Sequence, residues 1–405
     1  MAQHVGNKIS GLSIALGLIG PGTVGKAVLE HLRNQSPHLL KRYGIDLRVL
    51  GITNSRQMLL AKEGVDLNSW GEELIQQGED ASLGVLTEHL KASKTPHKVI
   101  VDTTASAYIP QLYKRWMAQG IHVVSPNKRL TAGPLDDYLA VKQLQREHKA
   151  HYMYEGSVGA GLPIMSTLKT LLDTGDEIVR IEGVFSGTMS YIFNELSLSQ
   201  PFSQVVWGAR RRGYTEADPR DDISGMDMTR KVITLARECG ANVETADINT
   251  ESLIPEPLRT TVSSQEFFEQ LPQRGRSTVS NQEFFEQLPQ YDHLMVPLLK
   301  EAEERDMVLR YVGSYDAESG VCQVRLQMYP KSHPFAHLTK VRLRMYPKSH
   351  PFAHLTTTEN VFIFTTHRYS VPPLIVRGPG AGAALTATGV FADLVTLARY
   401  LGGPS

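Results

Sequence analysis

A nearly unbroken apolar run, Leu12–Ile19, passes directly into Gly20-Pro21-Gly22-Thr23-Val24-Gly25, and a helical pattern follows from Lys26 to Leu32. Few folds accommodate strand, GxGxxG and helix in that order. Gly20 permits the tight turn, Gly22 lets backbone approach a pyrophosphate, and Gly25 lets the helix pack close to the strand. Free amides at the helix start then face the phosphates. The continuity of the apolar run fits a parallel strand covered on both faces. It reads as a buried strand, not the core of a signal peptide, because a glycine turn follows at once and no small-residue cleavage site does.

Further strands are expected over residues 47–53, 98–102, 121–124 and 151–154, with helices over 108–119 and 134–148. Residues 57–90 read as a polar, helical connection. This alternation predicts an α/β fold of Rossmann type, with a doubly wound, mostly parallel sheet. An acidic residue at the end of the second strand would bind a ribose 2′-hydroxyl and favour NAD; the sequence there is Thr53-Asn54-Ser55-Arg56. A hydroxyl and a guanidinium suit a 2′-phosphate, so NADP is expected, with NAD tolerated. An ordinary surface arginine is the plainer reading of Arg56. Thr103-Thr104-Ala105-Ser106 and Lys128 follow later strands, at the sheet edge where ligands bind in such folds. A solvated loop lysine is the plainer reading of Lys128.

At 405 residues the chain has room for two or three domains. Lysine plus arginine equals aspartate plus glutamate, 42 each, so no global field calls for nucleic acid or a membrane surface. Two cysteines, Cys239 and Cys322, are too few for a disulfide framework and suit a reducing compartment. No apolar run approaches bilayer length.

The segment Glu155-Gly156-Ser157-Val158-Gly159-Ala160-Gly161-Leu162-Pro163 places glycines around small residues. Exposed carbonyls and one carboxylate suit a hard cation, and an interdomain hinge fits the same residues equally well. Beyond it come a helix over 163–172, a strand over 177–185 and a helix to residue 196, capped by Ser186-Gly187-Thr188. Residues 210–232 crowd Glu216, Asp218, Asp221, Asp222 and Asp227 between basic runs. Asp227 and Lys231 share one helical face, and a desolvated lysine beside acids can pass a proton near neutral pH. A solvated, salt-bridged helix start is the alternative. Residues 246–312 read as mixed polar and helical, with later strands over 321–329, 341–346 and 361–366. A glycine-rich loop, 377–383, and a helix over 386–401 close the chain and return to the nucleotide domain. Two near-identical copies interrupt this order: residues 261–273 recur at 278–290, and 324–339 at 341–356, each shifted by 17. One copy of each pair is expected to take its place in the fold while the other bulges out. The histidines at 333, 337, 350 and 354 arise from the copying and carry no metal expectation.

Taken together, GPGTVG (20–25), DTTAS (102–106), SPNKR (125–129), EGSVGAGLPI (155–164), FSGTMSYIFNEL (185–196), GYTEADPRDDISGMDMTRK (213–231) and GPGAGAALTATGVFADL (378–394) resemble homoserine dehydrogenase. The likeness is to the form fused to aspartate kinase in plants and bacteria, with the dehydrogenase portion alone in this sequence. It implies a nucleotide domain over 1–155, an α+β substrate and dimerisation domain over 156–376, and a returning segment over 377–405. It implies reversible reduction of L-aspartate 4-semialdehyde to L-homoserine, on the route to threonine, methionine and isoleucine. Lys231 is then the proton donor with Asp227 beside it, Glu216 and Asp222 bind substrate, and Lys128 is a second active-site lysine. Cofactor contacts fall on Gly20, Gly22, Thr23, Val24, Gly25, Arg56, Thr104, Lys128 and Gly380. Glu155 and the backbone of Val158, Ala160 and Leu162 hold a monovalent cation, sodium or potassium. A homodimer in the cytoplasm or plastid stroma is the implied setting. The alternatives are a catalytically silent homologue and another NADP-dependent semialdehyde reductase. Asp218, Asp221 and the arginine run 210–212 read as solvated surface.

Overall fold

The computed structural model describes residues 11–148, 150–216, 218–259, 280–337 and 359–403. The copies at 261–273 and 341–356, with the strand expected over 341–346, lie outside these residues. The chain divides into two compact units, residues 1–163 with 382–405, and residues 164–381.

The first unit is built on β1 (Leu12–Ile19), whose inner residues Ile14, Leu16 and Leu18 are fully buried. Helix α1 (Thr23–Tyr43) follows the glycine turn and ends at Gly44, in the left-handed conformation at φ 63°. It runs eleven residues beyond the expected end, through Pro37, because Leu29, Leu32 and Leu39 keep one face against the core. Strand β2 (Ile45–Thr53) pairs parallel with β1. The next segment departs from the expected helical connection. Gln57–Leu60 forms β3, which turns back antiparallel onto β2, and Glu79–Asp80 adds β4 at the edge. Met58 and Leu59 are buried there, in an apolar run, Met58 to Ala61, too short to register as a strand. Only α2 (Trp70–Gln77) and α3 (Leu83–Ala92) are helical in this stretch.

Strands β5 (His97–Asp102), β6 (His122–Val124) and β7 (Tyr152–Met153) extend the parallel sheet, giving the order β4-β3-β2-β1-β5-β6-β7. The helix expected over 108–119 is a 3-10 turn, Ile109–Leu112, leading into α4 (Tyr113–Ala118), with Pro110 in the first turn. Helix α5 is Leu135–His148.

The second unit holds α6 (Ile164–Asp173), β8 (Ile178–Val184), α7 (Gly187–Glu195), α8 (Phe202–Arg211), α9 (Pro219–Ile223) and α10 (Met226–Glu238). The tract read as mixed and helical contains β9 (Asn249–Thr250), α11 (Asn281–Gln287), α12 (Val296–Glu304) and a long strand, β10 (Met307–Asp316). Strands β11 (Cys322–Pro330), β12 (Glu359–Thr366) and β13 (Leu374–Pro379) complete a mixed sheet ordered β13-β12-β8-β10-β11-β9. Residues 377–379 thus belong to an edge strand, where a proline costs no ladder bond, and not to the loop the glycines announced. Helix α13 (Ala383–Tyr400) lies in the first unit against α1, with Ala387, Val390, Leu394 and Leu397 in the same core as β1. Among the described residues no helix is long and apolar enough to cross a membrane.

Candidate active site

In the first unit the candidate positions sit where strands end. Gly20 has φ 84°, and an added Cβ would lie 2.5 Å from the Thr104 side chain. At Gly25 a Cβ would lie 2.4 Å from the Gly20 carbonyl and 2.7 Å from Thr103 Oγ1, so only glycine allows this closeness. Gly22 is different: beyond its chain neighbours, nothing among the described residues lies within 4 Å of its Cβ position, which leaves room over the turn. The first bond into the helix is from Lys26 to the Gly22 carbonyl at 2.8 Å, so the Thr23, Val24 and Gly25 amides precede any intrahelical acceptor. The Asn54 side chain accepts from the amides of Arg56 at 2.7 Å and Gln57 at 2.8 Å, forming a tight polar turn from which the exposed Arg56 projects.

The spacing of motifs gave no sign of the group that organises the neighbouring loops. Asp102, fully buried at the end of β5, accepts from the Thr104 amide at 2.8 Å, from Tyr113 Oη and from Asn127 Nδ2 at 3.4 Å. Burial pushes its carboxyl above the usual range, and these donors pull the other way. Asn127 also donates to the Ser106 carbonyl at 2.9 Å and accepts from the Arg129 amide at 3.0 Å, so it frames half-buried Lys128 from both sides. An acid closing an apolar strand was the available signal.

The segment 155–162 packs against α13. A Cβ on Gly389 would meet the Ala160 carbonyl at 2.2 Å, and one on Gly161 the Leu385 carbonyl at 2.8 Å. Glu155 and Val158 are buried, and the Glu155 amide donates to Asp393 at 2.8 Å. Ala160 holds φ 55°, a left-handed conformation that is uncommon outside glycine and concentrates at functional sites.

In the second unit, Ser186 caps α7 by accepting from the Met189 amide at 3.3 Å. Gly225, at φ 81°, starts α10, because a Cβ there would sit 2.1 Å from Tyr311 Oη. That start aims one face of α10 so that Lys231, 8% exposed, meets Asp227 at 2.8 Å and donates to the Phe185 carbonyl at 2.7 Å. Asp222 accepts from Thr188 Oγ1 at 2.9 Å and from the Glu216 amide at 2.8 Å. Desolvation is the main reason its carboxyl rises to about 6; nearby Glu216 and Asp227 add to the rise. Asp222 therefore seats Glu216, whose own side chain is exposed. Thr188 was named only as part of a cap.

Two expectations for this stretch need correction. Asp218 is not merely solvated: it caps α9 and forms a forked ion pair with buried Arg220 at 2.7 Å. The Arg220 guanidinium lies over the Phe284 ring at 5.3 Å, so the pair is part of the packing. Arg210 and Arg212 likewise stack on Phe285 and Tyr191. Asp221 is exposed as a residue, yet partial burial of its carboxyl, with Asp218 and Glu216 nearby, raises it above the usual range. Gly380 is buried, with a would-be Cβ 2.0 Å from Asn360 Nδ2.

A glycine-turn unit of dinucleotide-binding type and a mixed-sheet unit with a buried lysine among carboxylates make a two-domain α/β architecture. The family model for homoserine dehydrogenase matches residues 163–395, and that for the homoserine dehydrogenase NAD binding domain matches residues 20–155. The homoserine dehydrogenase of Schizosaccharomyces pombe is 36% identical, the match covering 95% of each chain. The chloroplastic bifunctional aspartokinase/homoserine dehydrogenase 2 of Zea mays is 46% identical over all of this chain, which spans 40% of that relative's length. A mutant hyperthermophilic archaeal homoserine dehydrogenase, solved in complex with NADPH, shares the fold at TM-score 0.68 and 22% identity, over 96% of this chain and 98% of its own. The chain belongs to the homoserine dehydrogenase family.

Proposed function

We propose that the chain catalyses the reversible, NAD(P)H-dependent interconversion of L-aspartate 4-semialdehyde and L-homoserine, a step toward threonine, methionine and isoleucine. The observation that carries the reading is Lys231, buried on α10 between the Asp227 carboxylate and the Phe185 carbonyl in a chain of this family. When bound, the nicotinamide supplies hydride to the aldehyde carbon or removes it from the alcohol. Lys231 stabilises the alkoxide oxygen and gives it a proton, and Asp227, paired with the amine at 2.8 Å, directs it. Glu216, seated by Asp222, takes the substrate ammonium, and Lys128 its carboxylate.

The residues of the first unit fit a dinucleotide. The open space at Gly22 and the helix-start amides of Thr23, Val24 and Gly25 suit a pyrophosphate. Exposed Arg56 suits a 2′-phosphate, so NADP is preferred and NAD accepted. Gly20, Thr104, Lys128 and Gly380 complete the cofactor contacts. Glu155 with the carbonyls of Val158, Ala160 and Leu162 is an all-oxygen donor set for sodium or potassium, supported by the left-handed Ala160. The sheet of the second unit joins two copies in a homodimer. Two free cysteines fit a reducing compartment, cytoplasm or plastid stroma.

The test is oxidation of homoserine with NADP⁺ and with NAD⁺. Turnover with both and a lower KM for NADP⁺ is expected. Cofactor binding without turnover of homoserine would refute the assignment in favour of a silent homologue, and turnover of a different semialdehyde alone would make it another reductase.

A further inference from the structure

Asn360 lies in β12 with no exposed surface, and its amide faces two backbone oxygens. Nδ2 donates to the Phe185 carbonyl at 3.1 Å and to the Gly380 carbonyl at 3.1 Å. Since both partners only accept, the nitrogen end of the amide must face them. The Phe185 oxygen is the same one that receives Lys231 Nζ at 2.7 Å. One carbonyl therefore ties a strand amide to the lysine ammonium.

The surroundings leave that carbonyl little else to hold it. Phe185 follows the end of β8, and its ring is wedged over Gly183 and Gly313, where added Cβ atoms would lie 2.0 and 2.8 Å away. The ring also stacks on Phe362 at 4.6 Å. These contacts anchor the side chain, while the peptide plane between residues 185 and 186 is oriented by Lys231 and Asn360. Asn360 Oδ1 is buried with no hydrogen-bond partner among the described residues, a cost of about 1–3 kcal/mol that an apolar strand residue would avoid. The amide is thus a poor choice for packing and a good one for holding two carbonyls.

We propose that Asn360 is a positioning residue: it sets the Phe185 carbonyl that aims Lys231 and ties it to the Gly380 backbone. The proposal rests on the reading of Lys231 as proton donor and of Gly380 as a cofactor contact. Rotating the Phe185 carbonyl away would take one acceptor from the ammonium and swing it from its line to the alkoxide, while Gly380 lost its tether. Turnover and cofactor affinity would both suffer, and homoserine binding much less.

Asn360→Asp keeps the side-chain shape but turns oxygens toward both carbonyls; Asn360→Ser, too short to reach either, is the second variant should the first not fold. Two readouts on the full chain decide. Steady-state kinetics should show kcat down about tenfold, with homoserine KM changed less than about threefold and cofactor KM raised. Acetylation of Lys231, measured by mass spectrometry against exposed Lys300 across pH, should rise severalfold as the amine is released. If kcat, its pH profile and Lys231 labelling all match the unmodified protein while only Tm falls, Asn360 is a structural brace and the proposal is wrong. Should the unmodified chain not oxidise homoserine, the functional reading fails by itself, and the labelling ratio still decides whether Asn360 holds Lys231.

Discussion

On the proposed function, the two units recognise ligands with different materials. In the nucleotide unit the work falls to backbone: a left-handed Gly20, a Gly25 that admits no Cβ, and first-turn helix amides with no intrahelical acceptor. Its basic groups, Arg56 and Lys128, stand exposed or half-buried around that frame. In the second unit side chains do the work, with Lys231, Asp227, Asp222 and Glu216 gathered by a two-residue break between short helices. A backbone site fails through sterics, by steps; a buried charge site fails through lost proton transfer and responds to pH. The difference can be broken open by substitution.

The largest effect is expected in the charge site. Replacing Lys231 with methionine keeps length and apolar stem but removes the proton, so kcat should fall on the order of 10²–10⁴ with little change in cofactor Kd. Near-normal turnover in this variant would end the role given to Lys231. In the backbone site a pair of glycine variants separates packing from ligand approach. Gly25→Ala forces α1 off β1 and should cost about 1–3 kcal/mol of stability as well as cofactor affinity. Gly22→Ala meets no neighbour within 4 Å among the described residues, so it should leave Tm near its starting value and weaken only the cofactor, as a titration of bound NADPH would report. Equal losses of Tm in the two variants would contradict this account.

The smallest effect is a pair of opposed pH slopes. Burial pushes His122 down to about 4, so its share of stability is complete above 6.5 and is lost as pH falls from there toward 4. Asp222, pushed up to about 6, acts the other way: its share is present below 3.8 and is lost as pH rises through 6. Thermal melts from pH 4 to 7 should show His122→Gln gaining on the parent by about 1–3 kcal/mol as pH falls, and Asp222→Asn gaining as pH rises. Parallel curves for parent and variants would remove both assignments.

The same contrast explains what the sequence disclosed. GPGTVG is legible because a turn of that geometry admits glycine at fixed spacing, and the strand and helix beside it carry their own periodicity. The acids of 216–227 are legible as a crowd, since five carboxylates within twelve residues need a reason. Their separate jobs are not: Asp218 and Asp222 differ only in facing buried Arg220 or the Glu216 amide, which local pattern does not encode. Asn360 was invisible for a stronger reason. Its partner lies 175 residues away, and a lone asparagine before the apolar run Val361 to Phe364 has no spacing to read. β3 was missed because it is only four residues long, and β13 because it is an edge strand whose glycine and proline speak louder than its pattern.

The placement of α13 bears on how the chain comes to be folded at all. Its residues Val390 and Leu394 share a core with Val28 and Leu29, more than 350 positions earlier. During synthesis the nucleotide unit therefore cannot close its core until the last turns of helix leave the ribosome, while residues 164–381 are already complete. Bringing such distant segments together is the slow step for topologies of this kind. The second unit is thus expected to fold first and to hold the two ends of the first unit's chain for one another, acting as a template in time as well as a domain in space.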